Sequence, residues 1–286
     1  MRESYIQITE ESKNKPILSI HYEPTRTMDY NTFCQVINAL PKGIDEIHIT
    51  GGDPLVVSSL ARYLTLASKK AKIILHTPCS VSPEALNSIK QLISKVVVQL
   101  KYPDENLHDE WNKNAKAYSH LIKALEWCQS NKMPHTVHFE VDTQNYNYLL
   151  RVIKLCKNYG SSLHLSRTLP LTKEIGPLFL ISSVWNAVCY DAEHSGLIVT
   201  VDTDKNNVQS CSAGVGQFNV FPDGSISMSS NSAVILGNIV YESWPILKDR
   251  LMKERLKYSK CSSCPCIVEK KRNLFPLEKI DEAMAW

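Results

Sequence analysis

Several features are missing from this sequence, and each absence excludes something. No apolar run approaches the roughly 18 residues that a membrane span needs, and the N-terminus Met1-Arg2-Glu3-Ser4-Tyr5 is polar. Neither an anchor nor a signal peptide is expected, and the expected location is the cytoplasm. Basic stripes are missing too: the net charge is +3, with lysines and arginines scattered among acids, which argues against a nucleic-acid partner. Internal repeats and low-complexity tracts are absent. The nine cysteines are an odd count, and without a secretory signal they argue for thiols and metal ligands over a disulfide framework.

What remains is a chain of 286 residues with 43% hydrophobic content, enough for one large domain or one with a small appendage. Its first part alternates short apolar strands with amphipathic helices. Strands are expected at Ile17 to Tyr22, Glu46 to Thr50, Lys72 to His76, Lys95 to Leu100, Thr136 to Val141 and Ser162 to Ser166. Between them, Tyr118, Leu121, Ile122, Leu125 and Cys128 form a three-four apolar stripe, and Leu149, Leu150, Ile153 and Cys156 form another that stops at Gly160. Six such alternations imply a parallel sheet with right-handed crossovers; periodicity leaves open whether it curls. A boundary falls near residue 170. Beyond it come a helix around Ser182 to His194, a strand around Leu197 to Val201, and β runs Phe218 to Phe221 and Ser225 to Met228, joined by Pro222-Asp223-Gly224, a hairpin signal. A helix near Trp244 to Tyr258 follows.

Two stretches carry chemistry. Thr50-Gly51-Gly52-Asp53-Pro54-Leu55 reads as strand end, glycine turn and helix start, with Asp53 as N-cap and Pro54 in the first turn. A bare backbone at the C-terminal end of a parallel strand can receive a small ligand, and it can equally be a well-made turn. Cys261-Ser262-Ser263-Cys264-Pro265-Cys266 packs three soft ligands together, with Cys211 as a candidate fourth. Such spacing suits one zinc ion or one iron-sulfur cluster and does not choose between them. Cys34, Cys128, Cys156 and Cys189 stand alone on apolar patterns and read as core thiols, and Cys79 as a loop residue. His21, His48, His76, His138 and His164 fall on or at the ends of five expected strands. Together they could hold zinc in a metal-dependent barrel hydrolase, although no HxH pair or partner carboxylate accompanies them; otherwise they are polar lining. Lys101 and Arg167 follow strands and could point into a barrel mouth, Trp111 and Trp185 could offer peptide-binding surface, and Glu269-Lys270-Lys271-Arg272 reads as a solvated tail.

These residues resemble the radical SAM enzymes that carry a C-terminal SPASM or shorter twitch domain. The turn Gly51-Gly52-Asp53 is similar to the family's GGE turn, which receives the amino group of S-adenosylmethionine. Leu75-His76-Thr77, then Val98-Gln99-Leu100-Lys101 with His108-Asp109, resemble its third and fourth strand ends. Cys211, Phe221-Pro222-Asp223-Gly224, Leu236-Gly237-Asn238-Ile239 and Cys261 with Cys264 follow the SPASM order. The resemblance implies a partial (β/α)6 barrel over residues 1–170, and a SPASM-like module of β-hairpin plus helix over residues 171–286.

Two departures shape the functional expectation. The family's CxxxCxxC loop, whose thiolates hold a four-iron cluster, has no counterpart between the strand at Ile17–Tyr22 and the helix holding Phe33 and Ile37, and that connection reads as too short for it. Without that cluster no electron reaches the sulfonium. In the C-terminal part, Ser229 stands where the family places a cysteine and Cys266 has no clear counterpart, leaving at most one auxiliary [4Fe-4S] cluster or one zinc at Cys211, Cys261, Cys264 and Cys266. The resemblance therefore implies a pseudo-radical-SAM/SPASM protein that holds a precursor peptide, or scaffolds an active radical SAM maturase or an ATP-grasp ligase, in the maturation of a ribosomally made peptide. Some fifteen residues before the first strand are too few for a leader-binding winged domain. A third option is an S-adenosylmethionine-binding protein without radical chemistry.

Overall fold

The computed structural model describes residues 2–12, 26–168, 180–201, 212–229, 232 and 234–257. Outside them lie the expected strand Ile17–Tyr22 with His21, the expected boundary near residue 170, the tail at Glu269–Arg272, and all four candidate ligands Cys211, Cys261, Cys264 and Cys266. The sheet contains β1 (Glu3–Thr9), β2 (Glu46–Gly51), β3 (Lys72–Thr77), β4 (Lys95–Leu100), β5 (His135–Val141), β6 (Ser162–Arg167), β7 (Val199–Val201), β8 (Gln217–Val220), β9 (Ser225–Ser227) and β10 (Gly237–Asn238). Their order is β10-β9-β8-β1-β2-β3-β4-β5-β6-β7. Strands β1 to β7 run parallel, β8 adds parallel to the free side of β1, and β9 and β10 continue antiparallel.

The first strand of the described sheet is Glu3–Thr9, which pairs with β2, and its alternating Tyr5, Ile6, Gln7 and Ile8 carry the same period-two signal as the expected strand Ile17–Tyr22, which lies outside the described residues. Local pattern cannot choose between two such runs, because the partner strand lies some forty residues away. The consequence is that β1 and helix α1 (Tyr30–Ala39) are joined by residues 10–29, a connection that is not short. Its neck is pinned: Thr27 forms an antiparallel bridge with Thr9, Met28 N–H donates to the Ile8 carbonyl at 2.8 Å, and Glu10 N–H donates to that of Arg26 at 2.8 Å. Helix α1 then starts on the Asp29 carboxylate, which accepts from the N–H groups of Asn31 and Thr32.

The remaining helices are α2 (Leu60–Ala67), α3 (Ala85–Ile89), α4 (Glu105–Asn112), α5 (Ala117–Ser130), α6 (Leu149–Tyr159), α7 (Ser182–Glu193) and α8 (Trp244–Leu256). One side of every central strand packs against them. Ile6, Ile8, Ile47, Ile49, Leu75, Val98, Val137, Phe139 and Leu165 are fully buried with Phe33, Leu64, Leu121, Leu125, Val152 and Trp185 in a single core. The alternate residues, among them Tyr5, His48, His76, Gln99, His138 and His164, occupy the other face and are mostly polar. Helix α6 ends where Gly160 takes a left-handed conformation (φ 67°), as its sequence pattern predicts.

At the ends of β4 and β5 sits a buried ion pair. Lys101 Nζ lies 2.6 Å from Asp142 Oδ2, with the two side chains 1% and 0% exposed. The Asp142 Oδ1 accepts from the N–H groups of Gln144 and Asn145, Asn145 Nδ2 donates to the Lys101 carbonyl, and Trp111 lies 4.7 Å from the ammonium. Lys101, expected to point into a barrel mouth, is thus spent on a structural lock. Asp142→Ala strands a buried cation and is expected to cost about 3–5 kcal/mol in urea unfolding, whereas the double change Lys101→Met with Asp142→Leu should recover most of that loss.

Candidate functional site

The glycine turn closes the C-terminal end of β2, and its surroundings explain its composition. Gly52 N–H donates to the Thr9 carbonyl and Asp53 N–H to the Glu11 carbonyl, each at 2.7 Å. A Cβ on Gly51 would coincide with the Thr9 carbonyl, and one on Gly52 with the carbonyls of Glu11 and Glu10. Gly51 also has φ +138°, so a side chain there would be strained as well as crowded. The space that two bare residues leave open is filled by the protein's own backbone as it leaves β1.

Asp53 is fully buried and serves as the junction of three strand ends. Its Oδ1 accepts from the Leu55 N–H (3.1 Å) and the Thr77 hydroxyl (2.8 Å), its Oδ2 from the Ser80 N–H (2.8 Å) and hydroxyl (2.7 Å). Burial raises its pKa above the ordinary carboxylate value, against the opposing pull of those hydrogen bonds from Ser80, Thr77 and Leu55. The helix-capping role read from the sequence holds for the short 3₁₀ turn Pro54–Val56. Ser80 and Asn114, whose amide donates to the Ser80 carbonyl at 2.9 Å, escape sequence reading because neither belongs to a periodic pattern.

None of Cys34, Cys79, Cys128, Cys156 and Cys189 forms a disulfide. Cys128 and Cys156 are buried and their pKa values are pushed up to about 12 by that burial, as suits core packing. Cys34 and Cys189 are only half-buried. Cys79 takes a left-handed conformation (φ 51°) after β3, and burial followed by the nearby Asp53 charge holds its thiol well above the ordinary range, the reverse of an activated nucleophile.

Across the polar face of the sheet the histidines form hydrogen-bonded pairs. His48 Nδ1 lies 2.9 Å from His76 Nε2, and the Tyr5 ring stacks on His48 at 4.1 Å. His138 and His164 stand opposite each other on β5 and β6, ring centroids 4.9 Å apart; His138 bonds the Ser166 hydroxyl (2.6 Å) and His164 that of Thr200 (2.9 Å). His76 is held well below its ordinary pKa by burial and then by the charges of His48, His138, His164 and Lys95. Burial and the charge of Lys95 likewise lower the His48 pKa, to about 4. Among the described residues no three His, Cys, Asp or Glu side chains are grouped to hold a metal ion, so the five-histidine centre of a hydrolase is not assembled there. Arg167 donates to the Leu180 carbonyl, Trp185 is buried, and Trp111 is half-buried beside Tyr102.

With fold and site in view, the relatives can be named. Residues 21–156 match the sequence profile of the Radical SAM superfamily. No curated protein matches significantly. Among solved structures, Streptococcus suis SuiB bound to precursor peptide SuiA superposes with a TM-score of 0.70 at 13% identity, over 93% of this chain and 70% of SuiB. SuiB bound to S-adenosylmethionine gives the same score and identity, over 93% and 71%. Native anSMEcpe with bound AdoMet and Cp18Cys peptide reaches 0.72 at 15% identity, over 96% and 92%. Residues 21–156 thus resemble the Radical SAM superfamily, and the α/β architecture is the radical SAM fold.

Residues 10–29, between β1 and α1, contain no cysteine, and the first cysteine in the sequence is Cys34, on α1. At twenty residues, the connection from β1 to α1 is longer than the one expected after Ile17–Tyr22.

Two outcomes follow from this geometry. Gly52→Ala is expected to destabilise the fold by about 3 kcal/mol, because the added methyl meets backbone that no rotamer change can move; chemical denaturation measures it. His108, 1% exposed, accepts from the N–H groups of Lys101 and Tyr102 through Nδ1, and burial lowers its pKa from 6.5 to about 4. The unfolded chain binds the proton first, so this stability is present above pH 6.5 and is lost as pH falls toward 4. Between pH 7.5 and pH 5 the wild type should lose about 2 kcal/mol more than His108→Gln.

Proposed function

We propose that this protein is a pseudo-radical-SAM/SPASM protein that binds a precursor peptide, or scaffolds its maturation enzyme, without performing reductive cleavage of S-adenosylmethionine. The observation that carries the reading is the β1–α1 connection, residues 10–29, which offers no thiolate to an iron-sulfur cluster. The filled glycine turn supports it: the Gly52 and Asp53 N–H groups and the room above both glycines go to Thr9–Glu11, which weighs against the alternative of S-adenosylmethionine binding at Gly51, Gly52 and Asp53.

A peptide-holding role draws support from the polar sheet face. Tyr5, His48, His76, Gln99, His138, His164 and Thr200 present hydrogen-bond donors and acceptors side by side, the chemistry that an extended peptide backbone matches. By their names, SuiB and anSMEcpe structures of the same fold hold peptides. In this reading residues 1–170 form the cluster-free barrel part and residues 171–286 the SPASM/twitch-like module, with Cys211, Cys261, Cys264 and Cys266 holding one auxiliary [4Fe-4S] cluster or one zinc. The partners are a precursor peptide and a radical SAM maturase or ATP-grasp ligase, and the setting is the cytoplasm.

Anaerobically purified, reconstituted protein given dithionite and S-adenosylmethionine should release no 5′-deoxyadenosine above the rate of a heat-treated control. Sustained release that co-purifies with the protein and survives further chromatography would overturn the reading. Copurification of a short peptide, lost in a His138→Ala/His164→Ala variant that still folds, tests the binding role.

A further inference from the structure

The starting ends of the same strands leave buried polar atoms without partners. Strands β8, β1 and β2 are in register there, so Gln217, Glu3 and Glu46 form one row across the sheet and Asn219, Tyr5 and His48 the next, all on the polar face. Asn219 is only 1% exposed, yet its Oδ1 and Nδ2 both lack a hydrogen-bond partner. His48, 8% exposed, has the same deficit at Nε2, which lies 3.6 Å from Glu46 Oε2 and 3.9 Å from Glu3 Oε2. Buried polar atoms are almost always paired, so orphans side by side on one face call for something that completes them. The glutamates add a second deficit. Like charges directly opposite each other on neighbouring strands disfavour the pairing, and among the described residues no lysine or arginine forms an ion pair with either one. Their side chains are 39% and 38% exposed, so a ligand can reach them from solvent.

We propose that Glu3, Glu46, His48 and Asn219 form a binding site for a guanidinium group, carried by an arginine side chain or by a free arginine-like molecule. The site is rich in acceptors: two carboxylates, Asn219 Oδ1 and, with the His48 proton on Nδ1 and donated to His76 2.9 Å away, the Nε2 lone pair. A guanidinium is their complement, a planar fork of five N–H donors that accepts nothing and supplies the charge the carboxylates lack. An ammonium has three donors on a single atom and matches fewer of these acceptors. A metal ion is not the occupant, since no three His, Cys, Asp or Glu side chains among the described residues are grouped to hold one. Tyr5 steadies the arrangement: its hydroxyl donates to Glu3 Oε2 at 3.4 Å and its ring stacks on His48 at 4.1 Å. Burial, followed by the facing Glu46, raises the Glu3 pKa, a strain that a bound cation relieves. Burial and the charge of Lys95 hold the His48 pKa low, so its ring is an acceptor at neutral pH. Two lysines oppose a cation here: Lys72 stands across from Glu46 on β3, and the charge of Lys95 on β4 reaches His48. The Asn219 Nδ2 donor is left to water. This inference stands independently of the peptide-binding reading.

The test is NMR titration of the full-length, isotope-labelled protein with Nα-acetyl-arginine amide, its neutral isostere Nα-acetyl-citrulline amide, and free arginine. We expect saturable shifts at residues 3–5, 46–48 and 217–219 with the first probe, and binding of the citrulline probe weaker by about tenfold or more. Affinity for the arginine probe should fall by about tenfold in Glu46→Gln and in Glu3→Gln, each shown to be folded by circular dichroism. Lys95→Met should tighten binding several-fold, a gain that misfolding cannot mimic. Tighter binding of the blocked arginine than of free arginine assigns the site to a peptide side chain and the reverse to a small molecule, and either result supports the site. Citrulline bound as well as arginine, or affinity unchanged in both glutamine variants and in Lys95→Met, would overturn the proposal. So would the absence of saturable shifts at millimolar ligand, which leaves the orphan atoms to water.

Discussion

A single buried carboxylate ties the top of this structure together. Asp53 gathers Leu55, Thr77 and Ser80 around its two oxygens, and its own N–H reaches back to Glu11, so the ends of β1, β2 and β3 meet at one residue. Such a network is costly if any donor is missing, because the remaining charge has no water to turn to. It dictates much around it: glycines at 51 and 52 to let the β1 exit pass, a left-handed Cys79 to bring Ser80 round, and a pinned neck at Thr9 and Thr27. At the glycine turn the backbone of Thr9–Glu11 crosses directly against residues 51–53.

The two faces of the sheet divide the labour. Toward the helices the strands are aliphatic and fully buried, which supplies the cohesion of the fold. The other face carries four described histidines that burial and mutual charge hold neutral or that pair with hydroxyls. Its polarity would be expensive in a closed core and is tolerable here because β7 and β10 each pair on one side only among the described residues, leaving the sheet open.

Much of the α/β alternation is legible in the sequence. The strands at Glu46, Lys72, Lys95, Thr136 and Ser162, the stripes of α5 and α6, the Gly160 stop and the Asp223-Gly224 hairpin all appear where period and turn chemistry point. The first strand shows the limit. Residues 3–9 carry a signal that the sequence reading passed over, and it is β2 and β8, flanking β1 on either side, that make it a strand. Lys101 shows it again: a cation after a strand reads as a site residue until Asp142, forty residues on, is found beside it. The partner carboxylates of the histidines were equally hidden, since Glu3 and Glu46 meet His48 only through strand register.

By itself the amino-acid sequence determined which chemistry the chain has ligands for: thiols are absent before Cys34 and clustered at Cys261–Cys266, and no folding can create a thiolate where none is encoded. It also determined the class of fold, because the switch between periods of 2 and 3.6 is a local property. Tertiary structure alone decided which apolar run became β1, that the glycine turn accommodates Thr9–Glu11, and that acids and imidazoles gather at the strand starts. Those are contacts between residues distant in sequence, and pairing energies of that kind are set only when both partners are brought together.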